Sequence, residues 1–271
     1  MNIKFFDAEV QMKKNPNQLT FWEHLEEFRG TLIRSLAAVV VCMIVAFCFK
    51  NFLFDSIILA PKESDFITYR ALCRLAASLN LPQLCPDDFS LSLININLSG
   101  QFIMHFTVAF WVGLIAAMPF VLYQLWKFVA PAFYADESKS IVKIFIFGSL
   151  LFIIGVCVSY FIVFPLTIRF LGSYEVSTAV ANQITLQSYI STFCVLTLCM
   201  GIMFETPMVI ALLSKLGLIT KAILRKYRRW SIIIIMILAA IITPTSDPFT
   251  MMVVCLPLFL LYEIGIWICK N

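Results

Sequence analysis

The sequence predicts an all-α integral membrane protein with six transmembrane helices, and three observations carry that prediction. Of its 271 residues, 61% are hydrophobic and only 13% are charged, against about 25% charged in an ordinary soluble protein. A single soluble domain of this length has too much outer surface to hide so many apolar side chains. The apolar residues also come in long unbroken runs rather than in alternation, and such runs cross lipid as helices. With the runs read as six spans, fifteen Lys and Arg residues fall on one side and five on the other. That asymmetry marks the cytoplasmic side and places both termini there. A disordered chain, a soluble enzyme and a secreted disulfide scaffold are excluded.

Residues 1–18 are polar and mixed in charge, so they read as a cytoplasmic tail without a cleavable signal pattern. Residues 19–271 read as one six-helix membrane domain. It opens with "TFWEHLEEFRGTLIR", in which Thr20 and Glu23 form a capping box and Trp22, Leu25, Phe28 or Arg29, and Leu32 recur at helical spacing. An amphipathic helix at the cytoplasmic surface therefore runs into the first span, about Ile33–Ala60. Glu23, Glu26 and Glu27 oppose the positive bias of that surface. They read either as a solvated face with intrahelical pairs such as Glu26–Arg29 or as a docking site for a basic partner.

The outer loop, about 61–100, is long for a connector and should carry its own structure as a cap. Asp65–Leu79 reads as an amphipathic helix within it. Cys73 and Cys85 both fall in this loop, where an oxidising compartment would allow a bridge between them; two free thiols are the alternative. The other seven of the nine cysteines lie in or beside the spans and read as packing residues.

The second span, Phe102–Trp126, leads into "WKFVAPAFYADESKS", where Pro131 breaks the helix. Asp136 and Glu137 stand at the start of the next helix. They either complement its dipole or form a second cytoplasmic acidic patch that, with Glu27, could clamp two guanidiniums by bidentate bonds. The third span is Ile144–Ile168 and the fourth Tyr189–Leu216. Glu205 lies near mid-bilayer in the fourth, where a carboxylate must be protonated, paired or hydrated. Pro207 kinks the same helix by freeing the carbonyl of Met203, and Gly201 permits close approach. The fifth span, Trp230–Thr243, has 14 residues, roughly 21 Å of helix against a hydrocarbon core of about 30 Å. Local thinning or a water-accessible dip follows. The turn "ITPTSDPF" carries Thr243, Thr245, Ser246 and Asp247 as caps for the sixth span, Phe249–Cys269. The fifth and sixth spans are the shortest of the set.

His24 and His105 share no ligand spacing with acids or cysteines, so packing or interface roles are expected and no metal site is. No HExxH, GxSxG, Walker or GxGxxG pattern occurs. Neither catalysis nor a cofactor is expected, and nucleic acid is not among the expected partners. No internal repeat is visible, which weighs against an inverted-repeat transporter. A proton-coupled small-solute transporter using Glu205 remains the alternative function, and a scaffold without a transport role is a third class.

At these residues the chain resembles the TatC family, the multi-spanning core of the twin-arginine protein translocase. The pieces stand in order: "FWEHLEEFR" at 21–29, "LAP" at 59–61, "MPFVLYQLWKFVAPAFYADE" at 118–137, "YFIVFPL" at 160–166, "GIMFETP" at 201–207, "LGLIT" at 216–220, "ITPTSDPFT" at 242–250 and "LYEIG" at 261–265. The resemblance implies six helices forming a concave cup with N-in, C-in topology in a bacterial cytoplasmic membrane. It implies binding of twin-arginine signal peptides of folded proteins and export driven by the proton-motive force, with single-span TatA/TatB-type partners and more than one copy of the chain per complex. It assigns signal binding to Glu27, Glu137, Arg29 and Phe128. Glu205 matches the intramembrane acid of the concave face. Pro61, Pro119, Gln124, Pro207, Thr243, Asp247 and Thr250 match structural or partner-docking positions. Met251 stands where the family often has Gln, which makes the outer polar cluster less polar.

Overall fold

The computed structural model describes residues 21–78, 91–129, 138–174, 177, 182–215, 217–243 and 247–269. Residues 1–18, Thr20 of the capping box, Cys85, Asp136 and Glu137 lie outside them. Among the described residues the regular structure is helical, apart from one pair of two-residue strands. Five stretches are long and apolar enough to cross a bilayer: His24–Cys48, Gly100–Phe128, Ile146–Ser173, Leu186–Ser214 and Pro248–Ile268. The remaining crossing is a helix of 15 residues, Arg228–Ile242, so the expected short fifth span is observed. The sixth, at 21 residues, is the next shortest. The fourth span is the most buried, with half of its most apolar stretch inside the bundle, whereas the first is the least, with 11% of its stretch buried.

The first span is α1 (Phe21–Cys48), followed by a π-helical turn, Phe52–Ile58, and a 3-10 turn, Ala60–Lys62. The sequence suggested an unbroken helix to Ala60. Pro61 explains the difference, since it has no N–H and disfavours helix in the residue before it. The carbonyl of Ile57 would have bonded the missing N–H of residue 61, and the N–H of Lys62 goes to Leu59 instead, at 3.1 Å. Two carbonyls are thus freed at membrane depth, where water cannot satisfy them. Tyr160 donates to Ile57 at 2.9 Å and Tyr189 to Ile58 at 2.7 Å.

The loop helix α2 (Ile67–Ser78) occupies the stretch read as amphipathic. It closes two breaks at once. Tyr69, 1% exposed, shares its hydroxyl proton between the carbonyls of Pro61 and Pro165, each at 3.1 Å. Burial pushes the Tyr69 phenol above its ordinary pKa, against a smaller opposing effect of Arg169, so it stays a neutral donor. Thr68 donates from Oγ1 to Phe161, the carbonyl that Pro165 leaves without its helical partner. The strands β1 (Leu93–Ile94) and β2 (Ile184–Thr185) pair in parallel and tie this loop to the entry of the fourth span.

The second span, α3 (Gly100–Val129), lies along α1. Gly113 makes this possible: a Cβ there would stand 2.6 Å from the Cα and N of Met43. The third span is α4 (Ser138–Val158), a π turn over Ser159–Val163, and α5 (Phe164–Ser173). The fourth is α6 (Leu186–Phe204) and α7 (Thr206–Lys215), broken at Glu205. Gly201 permits close approach as expected, since a Cβ there would meet Phe152 at 2.6 Å. After α8 (Lys221–Lys226) come α9 (Arg228–Ile242) and α10 (Pro248–Ile268).

The main core gathers Ile58, Val108, Phe164, Ile190, Leu196 and Val254 from five spans. Leu53 and Ile57, Val112 and Ile115, Val156 and Tyr160, and Phe193 and Thr197 line an apolar hollow of about 330 Å³ among the first four spans.

Candidate functional site

Three groups of the singled-out residues have a described geometry, each at a different depth. The first lies where α1 begins and α3 ends, at the N-terminal face of the bundle. The antiparallel packing set by Gly113 brings Phe128 against the first turns of α1. Its ring stacks on His24 with centroids 4.4 Å apart and 21° between planes, and meets Phe28 at 5.3 Å and 50°. Glu27, on the same stretch of α1, is half-buried, whereas Arg29 is exposed. One turn before Phe128, Gln124 is 6% exposed, and its Oε1 has no hydrogen-bond partner among the described residues. Pro119 is half-buried in α3. Glu137 lies outside the described residues, so of the four residues that the resemblance assigns to signal binding, Phe128 packs on the turn of α1 that carries Glu27, Arg29 follows on the same helix, and the fourth is unplaced.

The second group surrounds Glu205. Pro207 removes a backbone donor, and Thr206 Oγ1 donates at 2.6 Å to the freed carbonyl of Met203. The N–H of Glu205 turns to Ile202 at 3.1 Å, so the regular helix is interrupted at the acid. The carboxylate lies over Gly148 of α4. A Cβ at that glycine would stand 3.1 Å from Oε2 and 2.6 Å from Met208 Sδ. Oε1 is buried without a hydrogen-bond partner among the described residues, an arrangement suited to an acid that holds or exchanges a proton or draws in water.

The third group is the turn between α9 and α10. Asp247 is the cap of α10, accepting from the N–H of Thr250 at 2.7 Å. Thr243 ends α9 instead, with Oγ1 directed at the carbonyl of Ala240 at 3.4 Å. The expected four-residue cap therefore narrows, within the described residues, to Asp247; Thr245 and Ser246 lie outside them. Thr243 and Thr250 are buried at 2% and 0% exposure, so their hydroxyls face the junction rather than lipid.

Sequence reasoning missed the ion pair between Arg228 and Glu263, at 2.7 Å. Arg228 also lies over the ring of Phe259 at 5.7 Å, and Tyr262 donates to Leu224 at 2.8 Å. These contacts lock α8 and the start of α9 onto α10. A cation at the head of the fifth span and an acid near the end of the sixth were the available signal. Gly148 was also missed; its position in a close helix pair is visible only once α4 and α7 are placed. His24 and His105 both pack on rings, the latter on Phe47 at 4.0 Å. Cys73 is disulfide-bonded, while Cys42, Cys48, Cys157, Cys194, Cys199, Cys255 and Cys269 are free.

A family model described as TatC, Sec-independent protein translocase protein, matches residues 23–257. The chain is 38% identical over 259 residues to the TatC protein of Blattabacterium sp. subsp. Periplaneta americana, covering 95% of this chain and 97% of that one. It is 33% identical to the TatC protein of Deinococcus radiodurans, over 94% and 88% of the two chains. Two crystal structures of the twin-arginine translocase receptor TatC, one of them in the detergent DDM, share its fold at 31% identity. Their TM-scores are 0.70 and 0.74, with 91% and 92% of this chain and 97% and 100% of theirs covered. With the sequence matched over nearly its whole length and the fold shared, the chain belongs to the TatC family and is a membrane-embedded subunit of a Sec-independent protein translocase, a transport family rather than a family of enzymes.

Proposed function

We infer that this chain is the receptor subunit of its translocase. It binds the twin-arginine signal peptide of a folded cargo protein at the N-terminal face of the bundle. The carrying observation is the cluster there: Phe128 held against α1 by His24 and Phe28, with Glu27 half-buried on the same turn of α1. Carboxylates at this face stand against the cationic bias of the surrounding loops and suit a basic ligand. Glu27 and Glu137 each take one guanidinium in bidentate geometry, which selects Arg over Lys, and Arg29 and Phe128 complete the site. One such exposed contact is weak and salt-sensitive; two in fixed geometry give recognition.

In this reading the protein sits in the bacterial cytoplasmic membrane with both termini cytoplasmic, residues 1–18 as a polar tail and residues 61–100 as an outer cap. The disulfide at Cys73 supports an oxidising compartment on the far side, and Cys85 is its proposed partner. Several copies work with single-span TatA/TatB-type partners. The partner span docks near Thr243, Asp247 and Thr250, Pro61 and Pro207 shape the helices, and Glu205 serves transport driven by the proton-motive force. Membership of a protein-translocase family leaves the small-solute carrier without support.

The test is site-specific photocrosslinking from positions 27 and 137 to a twin-arginine signal. Crosslinks are expected to the arginine pair, and Glu27→Lys or Glu137→Lys should abolish binding. Crosslinking that survives both changes would remove these residues from the site.

A further inference from the structure

We propose that His24 is an internal occupant of the guanidinium site: its imidazole lies on the face of Phe128 that a signal arginine takes, and the arginine displaces it. The proposal rests on the reading of Glu27 and Phe128 as signal-binding residues. The two rings are stacked nearly parallel, 4.4 Å apart, while Phe28 approaches the same ring at 5.3 Å. Two rings of α1 thus already close on Phe128. A guanidinium is planar and stacks on aromatic faces, with cation–π attraction inside about 6 Å. Imidazole is the side chain already in place with the same planarity and thickness.

Position supports the exchange. His24 and Glu27 stand three residues apart on one helix, so their Cβ atoms are neighbours at about 5–6 Å. A guanidinium that replaces the imidazole over Phe128 therefore comes within reach of the half-buried Glu27 carboxylate. A lysine ammonium is compact and strongly hydrated, and it gains less from the ring it would uncover. Exchange of one planar group for another thus adds to the preference for arginine. Without cargo, the stack keeps Phe128 covered at the membrane surface.

The experiment measures binding of a fluorescent twin-arginine signal peptide to the full-length protein in detergent, with a twin-lysine peptide as control. His24→Ala removes the occupant and should tighten binding by roughly two- to tenfold, the worth of one aromatic stack. His24→Phe keeps a ring on Phe128 and should bind no more tightly than the unmodified protein. If His24→Ala binds equally or more weakly, the imidazole positions Phe128 rather than standing in its ligand's place, and the displacement is overturned. If Phe128→Ala binds the signal as the unmodified protein does, the underlying site reading fails, and the displacement with it.

Discussion

Replacing Tyr69 by Phe tests the loop helix as a structural closure. The substitution keeps the ring and its contact with Phe66 at 6.2 Å and removes only the hydroxyl. Tyr69 is 1% exposed and donates to Pro61 and Pro165 at 3.1 Å each. Pro165 lies in a helix, whose backbone can still serve its carbonyl; the carbonyl of buried Pro61, in the middle of a 3-10 turn, has no backbone donor among the described residues. One orphaned buried carbonyl costs about 1–3 kcal/mol. At about 2–4 °C per kcal/mol for a chain of this size, the melting temperature should fall by several degrees in a fluorescence-detected thermal melt of the purified protein. Alkaline titration gives a second reading. The folded Tyr69 phenol has a pKa raised above the ordinary value of 10, so the folded state holds its proton where the unfolded state has lost it. Its contribution is full below pH 10 and declines as pH rises further, and Tyr69→Phe should remove that part of the slope. An unchanged melt would mean that the Pro61 carbonyl is already hydrated and that the closure is not made by this hydroxyl.

Three further outcomes are expected. Gly113→Ala places a Cβ against the Met43 backbone at 2.6 Å, so α1 and α3 must separate; a loss of about 1–3 kcal/mol should appear in the same melt, and weaker signal binding should accompany it. Glu205→Ala should leave signal binding largely intact and impair export of a folded reporter in cells, and an unchanged export rate would refute a transport role for this acid. Arg228→Glu alone should destabilise by about 1–2 kcal/mol, given the partial exposure of the pair, and Arg228→Glu with Glu263→Arg should recover most of it in a chemical melt.

Much of this was legible in the sequence because hydropathy, prolines and intramembrane acids act locally. The short fifth span, the helix over 67–78 and the bend at Pro207 all follow from residues within a turn or two of the feature. The break at Pro61 was not legible as a π turn, because its stability comes from Tyr160 and Tyr189, hydroxyls about a hundred residues away in sequence. The same holds for Glu205. Its depth could be counted along the helix, but the room for its carboxylate comes from Gly148, which is meaningful only after α4 and α7 are packed. For His24 a packing or interface role is what the sequence suggests, and its ring packs on Phe128; which ring it meets is visible only once α1 and α3 are side by side.

The pairing of α9 with α10 has a consequence for the two leaflets. At 15 and 21 residues, the helices differ in length by about 9 Å. Four residues separate the end of α9 at Ile242 from Asp247, the cap of α10, and Arg228 pairs with Glu263, about 7–8 Å before the end of α10. Nearly the whole deficit therefore falls at the N-terminal face. Lipid that follows α9 thins from that face alone, which makes this edge of the protein a wedge, and a charged group beside α9 reaches the midplane through a thinner oily layer from that side than from the other.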